Sequence, residues 1–249
     1  MMSINGVFQN FSIKCYLVLL HFLVLLLLFG DHFLSNLKDR LCYTKDKTAF
    51  YKQMAVHLQR QDPFIPEKSI LFLGDSIIHG LCVSAIDCRS VNLGIGTDTV
   101  DGLLGRIKRY QSIQNTHAVF IYIGGNDVGK RDTKWIIERI SLIIQQIPRH
   151  APIYFCSILP VDEKRTQQRT NKQIDSLNDE LKILCSNFEH VKLLDIAREF
   201  KDSSGKLRFD FYEKDGVHLN QQGYAQMIKF FRNYLKENIT ETRICERSF

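Results

Sequence analysis

The sequence predicts an α/β protein in which a five-stranded parallel sheet lies between two layers of helices. Five short apolar runs bounded by turn residues are typical of strands covered on both faces; they occupy residues 70–73, 91–93, 118–123, 153–158 and 191–194. Apolar stripes at helical spacing follow them, within residues 100–107, 136–147, 174–184 and 224–235. Strands that alternate with helices form parallel sheets in three layers, joined by right-handed crossovers.

The composition fits one globular domain with a short appendage. Of the 249 residues, 45% are hydrophobic and 24% are charged, which is ordinary for a folded domain. The net charge of +6 comes from scattered Lys and Arg residues, and there is no basic stripe or nucleic-acid-binding module. We therefore expect no nucleic-acid partner, while the oligomeric state is left open.

Residues 1–30 are predicted to form an N-terminal apolar helix that acts as a membrane anchor or an uncleaved signal. Residues 15–30 carry no formal charge, and as a helix they span roughly 24 Å of a bilayer core of ~30 Å. The following residues match a signal-cleavage site poorly, which favours a retained anchor with the main domain periplasmic or extracellular. The orientation stays open, because basic residues after the run favour the opposite side under the positive-inside rule.

Residues 31–67 are predicted to be a helical connector, since Phe50, Met54 and Leu58 recur at helical spacing ahead of Pro63 and Pro66. Residues 68–240 form the predicted α/β domain. Ligands of such a sheet bind at the carboxyl ends of its strands. The segments there are GDS (74–76), GIGTDT (94–99) and GGND (124–127), and DGVH (215–218) leads into the last helix. These four segments are predicted to meet at one edge.

Ser76 is the candidate nucleophile and His218 its candidate base. Ser76 follows a predicted strand and begins a helix, where its hydroxyl is exposed and its own N–H is unpaired; a simple helix cap is the alternative interpretation. Among the eight histidines, His218 lies at the expected edge, and Asp215 is placed to orient its ring. His79, one turn beyond Ser76, is expected to line the pocket.

Acyl transfer also needs hydrogen-bond donors for the oxyanion that develops on the substrate. The amide of Asn126 can supply one, although Gly-Asn-Asp is also ordinary turn chemistry. The backbone N–H groups of Ser76 and of the turn that contains Gly96 and Thr97 can supply others.

The segments ILFLGDSI (70–77), NLGIGTDT (92–99), IGGND (123–127) and DGVHLN (215–220) resemble the four sequence blocks of the SGNH (GDSL) hydrolase family, in the family's order. The turn near Gly94 and the end of the chain are similar to the platelet-activating-factor acetylhydrolase and lysophospholipase-like branch. The resemblance covers about residues 50–237. It implies a flavodoxin-like fold, no metal or other cofactor, and hydrolysis of small or lipid esters through an acyl-enzyme, with Ser76, His218, Asp215 and Asn126 in the family's roles.

The sequence departs from the family at one position. When the second block is aligned on Asp98 and Thr99, the family's oxyanion glycine falls on Thr97 instead of Gly96. A backbone N–H at Thr97 still serves as a donor, but a β-branched side chain resists a positive φ. We expect activity to survive and the acyl-size preference to change.

Two other activities stay open from the sequence. An O-acyltransferase or an acetyl-esterase acting on envelope glycans would use the same triad. A metal-dependent phosphoesterase would use Asp75, Asp98, Asp127 and Asp215 at the strand ends, although the sequence lacks the closely spaced aspartates and extra histidines of dinuclear sites.

Overall fold

The computed structural model describes residue 21, residues 48–166 and residues 168–239. The strands in this part of the chain are β1 (Ile70–Gly74), β2 (Ser90–Gly94), β3 (Ala118–Tyr122), β4 (Ile153–Cys156) and β5 (Val191–Leu194). The helices are α1 (Ala49–Gln61), α2 (Ser76–His79), α3 (Val100–Ile107), α4 (Thr133–Ile144), α5 (Asn171–Ser186) and α6 (Gln221–Asn238). Short 3-10 turns occupy Asp62–Phe64, Val83–Ala85, Ser112–Asn115 and Ile196–Phe200.

The five strands form one parallel sheet in the order β2-β1-β3-β4-β5. This confirms the predicted sheet and its five strands. The strand order reverses between β1 and β3, and in open parallel sheets ligands bind at the carboxyl ends of the strands beside such a reversal. The fold therefore predicts a binding crevice just beyond Gly74 and Tyr122, which are register partners.

The core lies on both faces of the central strands. Every residue of β1 and β3 is buried, as expected for strands with helices on each side. Phe72 and Phe120 stack with ring centroids 4.8 Å apart, and Phe231 of α6 packs edge-on against both rings. The predicted stripes also face inward, with Leu103, Ile140, Leu177 and Met227 among the buried residues.

Helix α1 turns a different face to the core from the one that the spacing predicts. The predicted stripe contained Phe50, Met54 and Leu58, but the side chain of Phe50 is 46% exposed, while Tyr51 and Leu58 are buried. The burial of Tyr51 is favourable because its hydroxyl donates to the carbonyl oxygen of Gly102 at 2.8 Å. From Thr48 onward the chain belongs to the same compact unit as the sheet.

The predicted anchor, residues 1–30, lies outside the described residues except for residue 21, and so does the connector up to residue 47. Among the residues that the structure describes, no helix combines the length and the apolar character needed to cross a bilayer.

Candidate active site

Ser76 lies just beyond the carboxyl end of β1, which is flanked by β2 and β3, and it is the first residue of α2. The preceding residue, Asp75, caps this helix by accepting the N–H of Ile77 at 2.9 Å. A side chain at position 74 would clash with the carbonyl oxygen of Tyr122 and lie 2.6 Å from Cγ1 of Ile78. The strand-to-helix turn thus packs directly on β3 and on its own helix, which holds the hydroxyl of Ser76 at the crevice.

His218 reaches Ser76 from a segment that is 142 residues away in sequence. Its Nε2 lies 2.9 Å from Oγ of Ser76, and its Nδ1 lies 2.5 Å from Oδ2 of Asp215. The other carboxylate oxygen of Asp215 accepts the backbone N–H groups of Val217 and His218. These contacts join a hydroxyl, an imidazole and a carboxylate in series, as general-base activation of a serine requires.

The loop that carries His218 is held by the segment between β4 and α5, which the structure describes at residues 157–166 and 168–170. The N–H of Asp162 donates to the carbonyl oxygen of Gly216 at 2.9 Å, and Nη1 of Arg165 donates to that of Lys214 at 3.1 Å. Tyr212 donates its hydroxyl to Oδ2 of Asp162 at 2.8 Å. Gly216 has a φ of +72°, so the turn between Asp215 and His218 favours a glycine at that position.

Three of the donors that the sequence predicts for the oxyanion are the N–H groups of Ser76 and Thr97 and the amide of Asn126. The backbone N–H of Ser76 and that of Thr97 have no acceptor within the described part of the chain. The N–H of Gly96 donates to Nδ1 of His79 at 3.2 Å, so Thr97 is the residue of this turn with a free N–H. Its φ is +67°, which is the left-handed conformation that a glycine would adopt without strain.

The third donor, the amide of Asn126, is held by two neighbours. Its Nδ2 donates to the carbonyl oxygen of Asp98 at 2.9 Å, which occupies one of its two hydrogens. Its Oδ1 lies 3.5 Å from Nη2 of Arg169, and Nη1 of Arg169 donates to the carbonyl oxygen of Gly125. Arg169 was not among the residues that the sequence predicts for the site.

Residues 72–226 match the GDSL-like Lipase/Acylhydrolase family. The chain belongs to this family. The resemblance found in the sequence blocks is therefore confirmed, and the protein is a carboxylic ester hydrolase. None of the curated proteins matches the sequence.

Solved structures of acylhydrolases share the fold. A Streptococcus pneumonia protein named for platelet activating factor is 25% identical, with a TM-score of 0.69 over 82% of this chain and 99% of its own. A GDSL-like lipase from Bacteroides thetaiotaomicron is 18% identical, with a TM-score of 0.62 over 75% of this chain and 97% of its own. A lipase/acylhydrolase from Enterococcus faecalis is 20% identical, with a TM-score of 0.60 over 68% and 96%.

The segments predicted to form the site carry carboxyl groups of two kinds. Burial raises the pKa of Asp75 to about 7, against the opposing effect of its hydrogen bond from Ile77, and burial likewise raises the pKa of Asp127 to about 7. Desolvation also acts to raise the pKa of Asp215, but hydrogen bonds from His218 and Val217 outweigh it and lower that pKa. Asp215 is thus the carboxyl group that stays ionised beside the imidazole.

The four aspartates considered for a metal site are engaged separately. Asp75 caps α2, Asp98 forms a buried ion pair with Arg106 at 2.8 Å, Asp127 accepts the N–H of Val100 and Asp215 contacts His218. Within residues 48–166 and 168–239, no three His, Cys, Asp or Glu side chains are grouped so that they would hold a metal ion.

Proposed function

We propose that this acylhydrolase cleaves small acyl esters or lysophospholipid-type lipids through a Ser76–His218–Asp215 triad and an acyl-enzyme. The observation that carries the proposal is the series of contacts from Oγ of Ser76 through both ring nitrogens of His218 to the carboxylate of Asp215, at 2.9 and 2.5 Å. Each distance lies within the reach of a hydrogen bond.

In this mechanism His218 accepts the proton of Ser76 through Nε2 while Oγ attacks the ester carbonyl carbon. The carbonyl oxygen becomes an oxyanion that accepts the N–H groups of Ser76 and Thr97 and the second Nδ2 hydrogen of Asn126. His218 then protonates the leaving alcohol, and the acyl group stays on Ser76. Water, deprotonated by His218, attacks the acyl-enzyme and releases the acid, which restores Ser76.

Asp215 stabilises the imidazolium that forms at each proton transfer. Its carboxylate faces Nδ1 of His218, so it selects the tautomer whose Nε2 is free to accept the serine proton. Since the pKa of Asp215 is lowered, the carboxylate stays ionised at neutral pH and opposes the positive charge on the ring.

The exposure of the triad supports water as the acceptor of the acyl group. The side chains of His218 and Asp215 are 47% and 48% exposed, so solvent reaches the base that must activate the second nucleophile. An acyltransferase needs to keep water from its acyl-enzyme. The exposed base therefore favours hydrolysis over transfer, and the name of the pneumococcal structure makes lipid esters the first substrates to test.

The decisive experiment compares wild type with Ser76→Ala on acyl esters of graded chain length, lysophospholipids and acetylated sugars. The variant should lose ester hydrolysis, roughly 10³-fold or more in kcat, and keep the melting temperature of the wild type. A fluorophosphonate should label wild type at Ser76. Ser204→Ala, which changes an exposed turn serine, is the matched control and should keep both activity and labelling. Turnover retained by Ser76→Ala would refute the triad.

A further inference from the structure

Arg169 is a partly buried cation beside the oxyanion donors that the mechanism has not used. Its guanidinium contacts the carbonyl oxygen of Gly125 through Nη1 and Oδ1 of Asn126 through Nη2. No carboxylate lies within ion-pair distance of it in the described part of the chain. A guanidinium is normally placed where its fixed fork of donors meets two acceptors, and here both acceptors belong to the Gly-Asn-Asp segment.

The backbone around Arg169 is tightly constrained. Thr170, the next residue, caps α5 in a capping box with Gln173. Asn171 uses both ends of its amide to hold the N–H and the carbonyl oxygen of Val161. Any side chain at Gly129, whose φ is +81°, would clash with the carbonyl oxygen of Gln168. Arg169 is therefore presented to Asn126 by a fixed segment, as a preorganised site requires.

The two contacts on Asn126 determine which end of its amide faces the substrate. The carbonyl oxygen of Asp98 accepts one Nδ2 hydrogen, and Arg169 donates to Oδ1, so the second Nδ2 hydrogen is left for the oxyanion. An amide rotated by 180° would present Oδ1 to the crevice, and an acceptor there would repel the developing negative charge.

We infer that Arg169 is a positioning residue for the oxyanion site: it holds the amide of Asn126 in its donating orientation. This inference rests on the proposed function, because it assigns Arg169 a role through Asn126. The effect should appear in the transition state and not in the binding of the neutral ester.

The test measures kcat and KM for a short acyl ester in Arg169→Met, Asn126→Ala and the double variant. We expect Arg169→Met to lower kcat by about 10- to 100-fold with KM changed by no more than about 3-fold. In the Asn126→Ala background the same substitution should lower kcat by less than about 3-fold, because the two residues act as a unit. Arg169→Lys, which restores the charge and one donor, should recover part of the loss.

Lys164→Met is the matched control, because it removes an exposed cation of the same loop, and its kcat should equal that of wild type. Equal losses of kcat in both backgrounds, or a change confined to KM, would overturn the inference. If Arg169→Met does not fold, the same double-mutant cycle is measured with Arg169→Lys in its place. The loss of kcat that Arg169→Lys causes should then disappear in the Asn126→Ala background. Failure of the proposed function is separate: it would appear as turnover or fluorophosphonate labelling that survives in Ser76→Ala, whatever Arg169 does.

Discussion

The nucleophile and its base are held in place by different physical means. Ser76 follows a strand whose five residues are all buried, and a clash with Tyr122 and Ile78 excludes any side chain at Gly74. His218 lies in a loop, with about half of its side chain exposed, and hydrogen bonds from Asp162 and Arg165 to neighbouring backbone atoms hold that loop.

Because of this difference, substitutions in the two regions should affect stability and activity differently. Close packing in a core is cooperative, so a change in the buried side chains that pack beneath Ser76 should lower the free energy of unfolding. Contacts of an exposed loop contribute little to global stability, but they set the distance between His218 and Ser76. We call the loop around Asp215 and His218 the exposed side of the site and the packed residues beneath Ser76 its buried side. Substitutions on the exposed side should reduce turnover while the fold persists, and substitutions on the buried side should first reduce stability.

The largest effect is expected from Asp215→Asn on the exposed side. An asparagine retains an acceptor for the backbone N–H groups of Val217 and His218, but its neutral amide no longer stabilises the imidazolium or its tautomer. We expect kcat to fall by roughly 10³- to 10⁴-fold, with an unchanged melting temperature. A variant that loses stability in step with activity would show that this loop is part of the cooperative core.

On the buried side, Arg106→Met should lower the free energy of unfolding by about 3–5 kcal/mol. Arg106 forms an ion pair with Asp98, with only 4% and 0% of the two side chains exposed, and it donates to the carbonyl oxygen of Gly74 at 3.2 Å. Its removal takes away the guanidinium that faces the buried carboxylate of Asp98, and the hydrogen bond from the N–H of Thr99 that remains carries no compensating charge. Urea unfolding followed by circular dichroism measures the change.

The matched control for Arg106→Met is Arg208→Met, which breaks an exposed ion pair with Asp210 and should leave the unfolding midpoint in place. The double variant Asp98→Asn/Arg106→Met should recover part of the lost stability, since no buried charge is then unpaired. Equal midpoints for Arg106→Met and Arg208→Met would contradict the distinction between the two sides.

The same distinction explains what the sequence could predict. The strands at residues 70–73 and 118–123 could be predicted because buried parallel strands are continuous apolar runs. Ser76 and Asn126 could be predicted as site residues because they come just after those two runs. The buried face of α1 could not be predicted, because Phe50 and Tyr51 are both aromatic. The hydrogen bond from the Tyr51 hydroxyl to Gly102, which favours burial of Tyr51, joins residues far apart in sequence and leaves no pattern within the helix.

Arg169 was missed for a related reason. Ser76, Thr97 and Asn126 lie within four residues of the end of a strand, but Arg169 lies thirteen residues beyond the end of β4. The path of the intervening segment depends on side-chain contacts with backbone atoms, such as those of Asn171 with Val161, which leave no periodic pattern. An arginine on the loop that follows a strand at the ligand-binding edge was the available signal.

The buried carboxyl group of Asp75 should make the free energy of unfolding depend on pH. Because burial raises its pKa to about 7, the folded protein binds a proton that the unfolded chain releases above about pH 4. Stability should therefore fall as pH rises from about 4 to about 7 and level off above that range. Asp75→Asn keeps the helix cap and should remove this contribution, which amounts to at most about 1.4 kcal/mol per pH unit.

The measurement is urea unfolding of wild type and Asp75→Asn at several pH values. The difference in stability between them should grow in favour of the variant as pH rises through this window. Asp202→Asn is a control of opposite sign, since hydrogen bonds from Ser204 and Lys206 lower the pKa of Asp202 and its contribution is lost as pH falls. Parallel pH profiles for wild type and Asp75→Asn would contradict the raised pKa.

The smallest effect on stability is expected at Thr97. A β-branched residue at a φ of +67° is strained, so Thr97→Gly should gain stability, by no more than about 1 kcal/mol because glycine also loses more entropy on folding. The N–H donor is retained, so hydrolysis of short esters should persist. Removal of the exposed side chain opens the crevice, and the ratio of kcat/KM for long over short acyl esters should rise roughly 10-fold.

Lys68→Gly is the control that distinguishes the two effects expected of Thr97→Gly, the relief of backbone strain and the change in pocket shape. Lys68 is the other non-glycine residue with a positive φ in the described chain, +59°, and it precedes β1, at the end of the strand opposite to Ser76. Its replacement should change stability to a similar degree and leave the acyl preference as in wild type. If Thr97→Gly also leaves that preference unchanged, then the Thr97 side chain does not border the acyl group, and its departure from glycine affects only the backbone.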